Sequence, residues 1–216
     1  MKRLIFVIVA VVALALNLAA SPQSGGLTAV EKQEGWKLLF DGQTLTGWTP
    51  RAPGAGRGAA ATEPRPTGKW AAENGELAWV KDSGRGYLVT EQVFNDFVLR
   101  LDFFADAAAN TGVNFGVPHE GNISSQTSFE VNIFDDTTEF PTGSINNVQR
   151  TSVVTPKTTG KWNAYEISRK GDHVTVVLNG EKVLDVTTTL HPGGHIALQA
   201  PAAGITRFKN LRIKTQ

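Results

Sequence analysis

Residues 97–104 read Phe97-Val98-Leu99-Arg100-Leu101-Asp102-Phe103-Phe104, and their alternation decides the fold. Phe97, Leu99, Leu101 and Phe103 recur at every second position, with Arg100 and Asp102 between them. A period of two puts one set on one face of an extended chain and the other set on the opposite face. The pattern returns at Val113, Phe115 and Val117, interleaved with Asn114 and Gly116. It returns again at Phe129, Val131 and Ile133, interleaved with Glu130 and Asn132. Further on, Trp162–Ser168 and His173–Leu178 are rich in β-formers. Asn179-Gly180 then separates His173–Leu178 from Glu181–Val186, a two-residue hairpin signal. His195–Gln199 and Thr206–Ile213 supply two more strands. Past the N-terminal apolar run no segment carries a helical stripe, and no long repeat recurs that would suggest a propeller or solenoid. Many short strands with turns between them predict an all-β sandwich or barrel.

The N-terminus reads differently. Lys2 and Arg3 precede an apolar run from Leu4 to Leu16, followed by Ala19, Ala20, Ser21 and Pro22. That order predicts a signal peptide over 1–20, cleaved after Ala20, with export by the Sec route to the periplasm or the cell exterior. The run is shorter than the roughly 18–20 residues a bilayer requires, so no membrane partner is expected after cleavage. Cleavage would remove two of the 21 basic residues and none of the 20 acidic ones, taking the net charge from +1 to −1. A balance so near zero gives no reason to expect nucleic acid or an anionic membrane as partner. With no cysteine in 216 residues, the fold has no disulfide and must bury its own core.

Residues 21–34 read as a polar tether, and 35–216 as one domain. Within it, Pro50 to Gly68 (PRAPGAGRGAAATEPRPTG) has almost nothing to bury and reads as a disordered surface insertion between Trp48 and Trp70.

Alternation also assigns a polar face. If Phe129, Val131 and Ile133 face the core, Glu130 and Asn132 face away from it, as Asn114 does beside Val113 and Phe115, and Arg100 and Asp102 beside their apolar neighbours. Few lysines interrupt this set of carboxylate, amide and guanidinium groups. Such groups with aromatic platforms suit a ligand made of hydroxyls around an apolar ring face, which is a sugar; ordinary solvated strands account for the same residues equally well. Glu130-x-Asn132-x-x-Asp135 is the most chemically suggestive stretch. Glu130 and Asn132 share a face about 6–7 Å apart along the strand. Asp135 joins them only if a bulge inserts one residue. Paired carboxylates then serve as acid and base, or as nucleophile and acid. The stretch is similar to the E-x-D-x-x-E signature of laminarinase-type retaining glycosidases, with Asn132 in place of the middle acid and Asp135 in place of the last. Of the four histidines, His119 follows a central strand in Pro118-His119-Glu120-Gly121 and is placed to reach a site. Their spacing forms no metal signature. The sequence calls for no cofactor and leaves a divalent metal and the oligomeric state open.

An ordered series of segments carries a family resemblance. Gly35-Trp36-Lys37-Leu38-Leu39-Phe40-Asp41-Gly42 through Gly47-Trp48 comes first, then Trp70 through Glu76-Leu77, and Asn95-Asp96-Phe97 through Phe103. Asn110-Thr111-Gly112-Val113, Phe129-Glu130-Val131-Asn132-Ile133-Phe134-Asp135, Gly160-Lys161-Trp162-Asn163, Leu178-Asn179-Gly180 and Ile196-Ala197-Leu198-Gln199 follow in order. Over residues 35–214 this resembles the 3-keto-disaccharide hydrolase family, with 3-keto-glucoside 1,2-lyase and 3-keto-2-hydroxy-glucal hydratase activities. The resemblance implies a concanavalin A-like jelly-roll sandwich of two antiparallel sheets. It also implies sugars oxidised at C3, whose ketone acidifies the C2 proton so that a base removes it, the C1 substituent departs, and water adds back. Such chemistry needs a base, donors for the enolate oxygen and an acid for the leaving oxygen.

On that reading Glu130 is the base and Asp135 or His119 the acid, with Asn132, Asn114, Arg100, Asn110 and Gln199 binding a glycoside or keto-sugar. The chain departs from the family at Gly116, where an arginine is common, and at Gln199-Ala200-Pro201, where Asp-His-Gly often follows the glutamine. The expected function is therefore an exported enzyme on 3-keto glycosides, the alternatives being a non-catalytic carbohydrate-binding module on the same sheet face or a hydrolytic jelly-roll glucanase.

Overall fold

The computed structural model describes residues 26–53, 67–189 and 192–216; the leader assigned to 1–20, His191 and residues 54–66 of the insertion lie outside them. A five-residue helix, α1 (Ala29–Gln33), precedes thirteen strands. These are β1 (Lys37–Leu38), β2 (Trp48–Arg51), β3 (Trp70–Glu73), β4 (Glu76–Trp79), β5 (Gly86–Phe94), β6 (Phe97–Ala105) and β7 (Thr111–Val117). After them come β8 (Phe129–Ile133), β9 (Trp162–Lys170), β10 (His173–Leu178), β11 (Glu181–Thr187), β12 (Gly194–Ala200) and β13 (Thr206–Thr215). One sheet runs β11-β10-β9-β6-β13-β4-β3 with β1 also on β13; the other runs β2-β5-β12-β7-β8. The named strands pair antiparallel throughout. This is the two-sheet jelly roll that the alternation and the resemblance predict.

Two faces meet in the core. In β6 the side chains of Phe97, Leu99, Leu101 and Phe103 are buried, while Arg100 stays exposed. Val113, Phe115, Phe129, Val131, Ile133, Leu88, Ile196 and Leu198 approach from the five-stranded sheet. Phe97 meets Phe115 edge-on with ring centres 5.8 Å apart, and Phe115 lies 5.1 Å from Phe129. A polar bond also crosses between the sheets: the buried Tyr165 hydroxyl of β9 donates to the Asn132 carbonyl of β8 at 2.7 Å. Asn179 and Gly180 take φ of 52° and 87° between β10 and β11, the left-handed geometry that makes Asn-Gly a hairpin turn.

The structure revises two readings at the chain's margins. Thr28 and Glu31 cap α1 reciprocally, and Glu31 pairs with the buried Arg212 of β13, so the end of the expected tether is fastened to the sheet. Pro50 and Arg51, which by composition open the insertion, complete β2. That strand is an edge, where proline's missing N–H is tolerated. The opposite edge, β8, is covered: Asn132 N donates to Ser144 O, Gly143 N to Asn132 O and Asn146 N to Glu130 O. Among the described residues no helix is long and apolar enough to cross a membrane.

Ile133→Ala opens a cavity where the two sheets meet and is expected to cost about 2–5 kcal/mol in urea unfolding. Tyr165→Phe should cost only about 1 kcal/mol, because Gly143 N still satisfies the Asn132 carbonyl. A Tyr165→Phe loss as large as that of Ile133→Ala would show that the cross-sheet bond, and not apolar packing, dominates here.

Candidate functional site

The outer face of the five-stranded sheet is set by what its inner face must bury. With Leu88, Leu198, Val113 and Val131 in the core, their neighbours Tyr87, Gln199, Asn114 and Glu130 point outward. Gln199 stands opposite Tyr87, and Glu130 opposite Asn114. At this end the face opens into a cleft of about 350 Å³ whose lining includes Arg85, Tyr87, Asn110, Glu130, Asn146 and Gln199.

The rest of the face is covered. Gly116 takes a φ of 67°, a conformation that glycine adopts without strain, and the pleat of β7 changes phase there. Val113 and Phe115 point into the core, but Val117 joins Val89, Ala197 and Ile123 in a separate apolar cluster. The strict alternation expected through Val117 therefore ends one residue early. Ile123 belongs to the segment after β7, which folds back over the sheet. Arg51 fastens it, donating from Nη1 to Pro118 O at 2.8 Å and from Nη2 to His119 O at 2.9 Å.

Glu130 is the chemical centre of the cleft. Burial raises its carboxyl to about 7, against hydrogen bonds from the Asn146 and Asn114 side chains that favour the charged form. Space for this carboxylate depends on Gly112, because a Cβ there would lie 2.7 Å from both Cγ and Oε1 of Glu130. Asn114 is almost wholly buried beside Glu130, and its Oδ1 has no hydrogen-bond partner among the described residues. Burial likewise raises the Tyr87 hydroxyl above its ordinary value, with the nearby Glu130 adding to the effect, so Tyr87 keeps its proton at neutral pH. Its oxygen lies 3.5 Å from Gln199 Nε2.

Four expected site residues thus converge: Glu130, Asn114, Asn110 and Gln199. Four do not. Arg100 lies on the other sheet, where its Nε is 2.7 Å from Glu166 and its guanidinium stacks over Trp36 at 4.4 Å. Asp135 lies beyond the end of β8, which has no bulge to bring it into phase. It accepts from the Thr142 hydroxyl at 2.6 Å, from the Thr158 amide and hydroxyl at 2.6 and 3.0 Å, and from the Thr159 amide and hydroxyl, both at 2.9 Å. Burial alone would raise its carboxyl, but these donors outweigh burial and hold it below the usual range, so it is a loop anchor and not an acid. Asn132 is buried and spends its amide on Phe140 O at 2.5 Å, pinning the chain that covers β8. His119 faces His195 with 3.4 Å between ring nitrogens. His195 is four residues from Gln199 along β12, about 13 Å at a strand's rise, so the pair sits at the far end of the face.

Sequence reasoning missed Tyr87, Asn146 and Arg85. Tyr87 was within reach, since it alternates with the core residue Leu88. Asn146 had no signal, because a loop brings it beside β8. Among the described residues, no group of three or more histidine, aspartate or glutamate side chains could hold a metal.

Several solved structures share this fold. A candidate glycosyl hydrolase from Parabacteroides distasonis ATCC 8503 aligns with a TM-score of 0.73 at 21% identity, over 90% of this chain and 100% of that one. The carbohydrate binding module CBM66 of Bacillus subtilis aligns at 0.57 and 15% identity, over 80% and 98% of the two chains. A Bacillus subtilis protein of unknown function with a galectin-like fold aligns at 0.53 and 11% identity, over 79% and 90%. At these identities the likeness is one of fold. No curated protein matches the chain. The sequence of residues 35–214 matches a family as a whole, and on that match the chain belongs to the family of 3-keto-alpha-glucoside-1,2-lyase-like domains.

Proposed function

We propose that the Glu130 cleft acts on 3-keto glycosides by removing the proton at C2. The observation that carries this reading is a carboxylate raised to about 7 inside a polar cleft, which puts a base close to neutral pH. Family membership and the neighbouring carbohydrate binding module support a sugar as ligand. In the proposed step the C2–H electrons form C1=C2, the proton passes to Glu130, and the C1–O bond breaks. The side-chain amides of Asn114 and Asn146 hold the ionised base in place. Tyr87, still protonated, is the donor for the departing oxygen, a role that the sequence reading gave to Asp135 or His119. Hydration is the addition of water across the same double bond. The leader at 1–20 supports export to a compartment where such glycosides are met.

Glu130→Gln should abolish C2 proton exchange with solvent deuterium on a 3-keto glucoside while sparing affinity. Exchange catalysed equally by both proteins would remove Glu130 from this role. No exchange by either, with binding to an unoxidised glycan, would make the cleft a binding site alone.

The pH dependence follows from the raised carboxyl. A base must be ionised, so kcat/KM should rise through a pH of about 7, and not through the ordinary carboxylate range. Stability moves the other way. Between 4.5 and about 7 the folded protein holds a proton that the unfolded chain has released, so ionisation erodes stability as pH rises through that window. Glu130→Gln should therefore be the more stable protein above pH 7, by up to about 3 kcal/mol, with the difference vanishing near pH 4.

Gly112→Ala tests the space allotted to the carboxylate. The added methyl should displace Glu130 and lower kcat at least tenfold with the fold retained, as read by far-ultraviolet circular dichroism and turnover.

A further inference from the structure

At the end of the face remote from Glu130, two imidazoles come together. His195 is 5% exposed on β12, and its Nδ1 lies 2.7 Å from the Thr90 carbonyl. A carbonyl only accepts, so Nδ1 carries the proton and the Nε2 lone pair is free. His119 Nδ1 lies 3.4 Å from that nitrogen. The separation exceeds the roughly 2.7–3.2 Å of a good hydrogen bond from nitrogen. It equals the span of two nitrogen ligands on a tetrahedral ion, since bonds of about 2.0–2.1 Å set about 3.4 Å apart.

We propose that His119 and His195 form a binding site for a borderline divalent transition-metal ion, of which Zn²⁺ is the representative. Two neutral imidazoles suit Zn²⁺, Ni²⁺ or Cu²⁺, and they do not suit Ca²⁺ or Mg²⁺, which take oxygen ligands. The hydrogen bond from His195 to Thr90 O is the outer-shell device that commonly fixes the tautomer and orientation of a metal-ligating histidine. Burial keeps that ring from swinging away. His119 is held from behind, because Arg51 grips the carbonyls of Pro118 and His119. Its side chain is exposed, so the ion can enter from solvent and water can complete its coordination.

The ion would join the segment after β7 to strand β12. That segment also carries Ile123, which packs on the sheet and whose carbonyl lies 3.5 Å from the Tyr87 hydroxyl at the cleft. Metal binding is then expected to slow hydrogen exchange of the amides in 119–124. The site does not depend on the reaction proposed for Glu130.

Tag-free mature protein titrated calorimetrically with Zn²⁺, and in parallel with Mg²⁺, decides the matter. One equivalent of Zn²⁺ should bind, and Mg²⁺ should not. His119→Ala, at an exposed position, should weaken Zn²⁺ at least tenfold, as should His195→Gln if that variant folds. His173→Ala should change nothing, since His173 lies elsewhere and pairs with Asp185 at 2.7 Å. Cu²⁺ bound by the wild type should show hyperfine splitting from two nitrogens, reduced to one in His119→Ala. No Zn²⁺ binding, binding untouched by His119→Ala, or binding lost equally with His173→Ala would overturn the proposal.

Discussion

Three apolar side chains on one short strand govern the cleft. Phe129, Val131 and Ile133 are each buried between the sheets. Shifting the strand by one residue would send all three to solvent and bring Glu130 and Asn132 into the core. The register is therefore held by hydrophobic burial, and the outward direction of Glu130 follows from it. The sheet sets the direction of the carboxylate, and the Asn114 and Asn146 amides meet it there.

Chemistry enters through the contrast between Glu130 and Asp135. Glu130 lies at the start of β8 and Asp135 just past its end, and both are withdrawn from solvent to some extent. Asp135 is met by backbone amides and hydroxyls of Thr142, Thr158 and Thr159, a donor set that favours the anion and makes it a fastening for the loops. Glu130 is met by two side-chain amides, too few to offset its desolvation. What separates a carboxyl raised toward neutral pH from one held ionised here is the number of donors supplied, not sequence spacing.

The same contrast explains what could be read from the chain. Alternation in 97–103 and 129–133 and the Asn179-Gly180 turn gave the sandwich, because core burial and turn geometry are local and periodic. Alternation says which residues face outward, yet not from which sheet. That is why Arg100, outward on β6, was grouped with Glu130 although a whole sandwich lies between them. Asp135 was misplaced because spacing arguments assume that the strand continues, whereas β8 stops at Ile133. The phase change at Gly116 and the approach of Asn146 depend on long-range packing and leave no periodic trace.

A final consequence concerns how the sheets end. The Pro50-bearing β2 and the 143–146 segment along β8 leave the five-stranded sheet few free amides in a row. On the other sheet, β11 carries Glu181, Lys182 and Asp185, with a Lys182–Asp185 pair at 2.6 Å. At these three edges neighbouring copies of the chain thus find little open template for strand addition. For a β protein with no disulfide to hold it through partial opening, this is a built-in resistance to amyloid-like association.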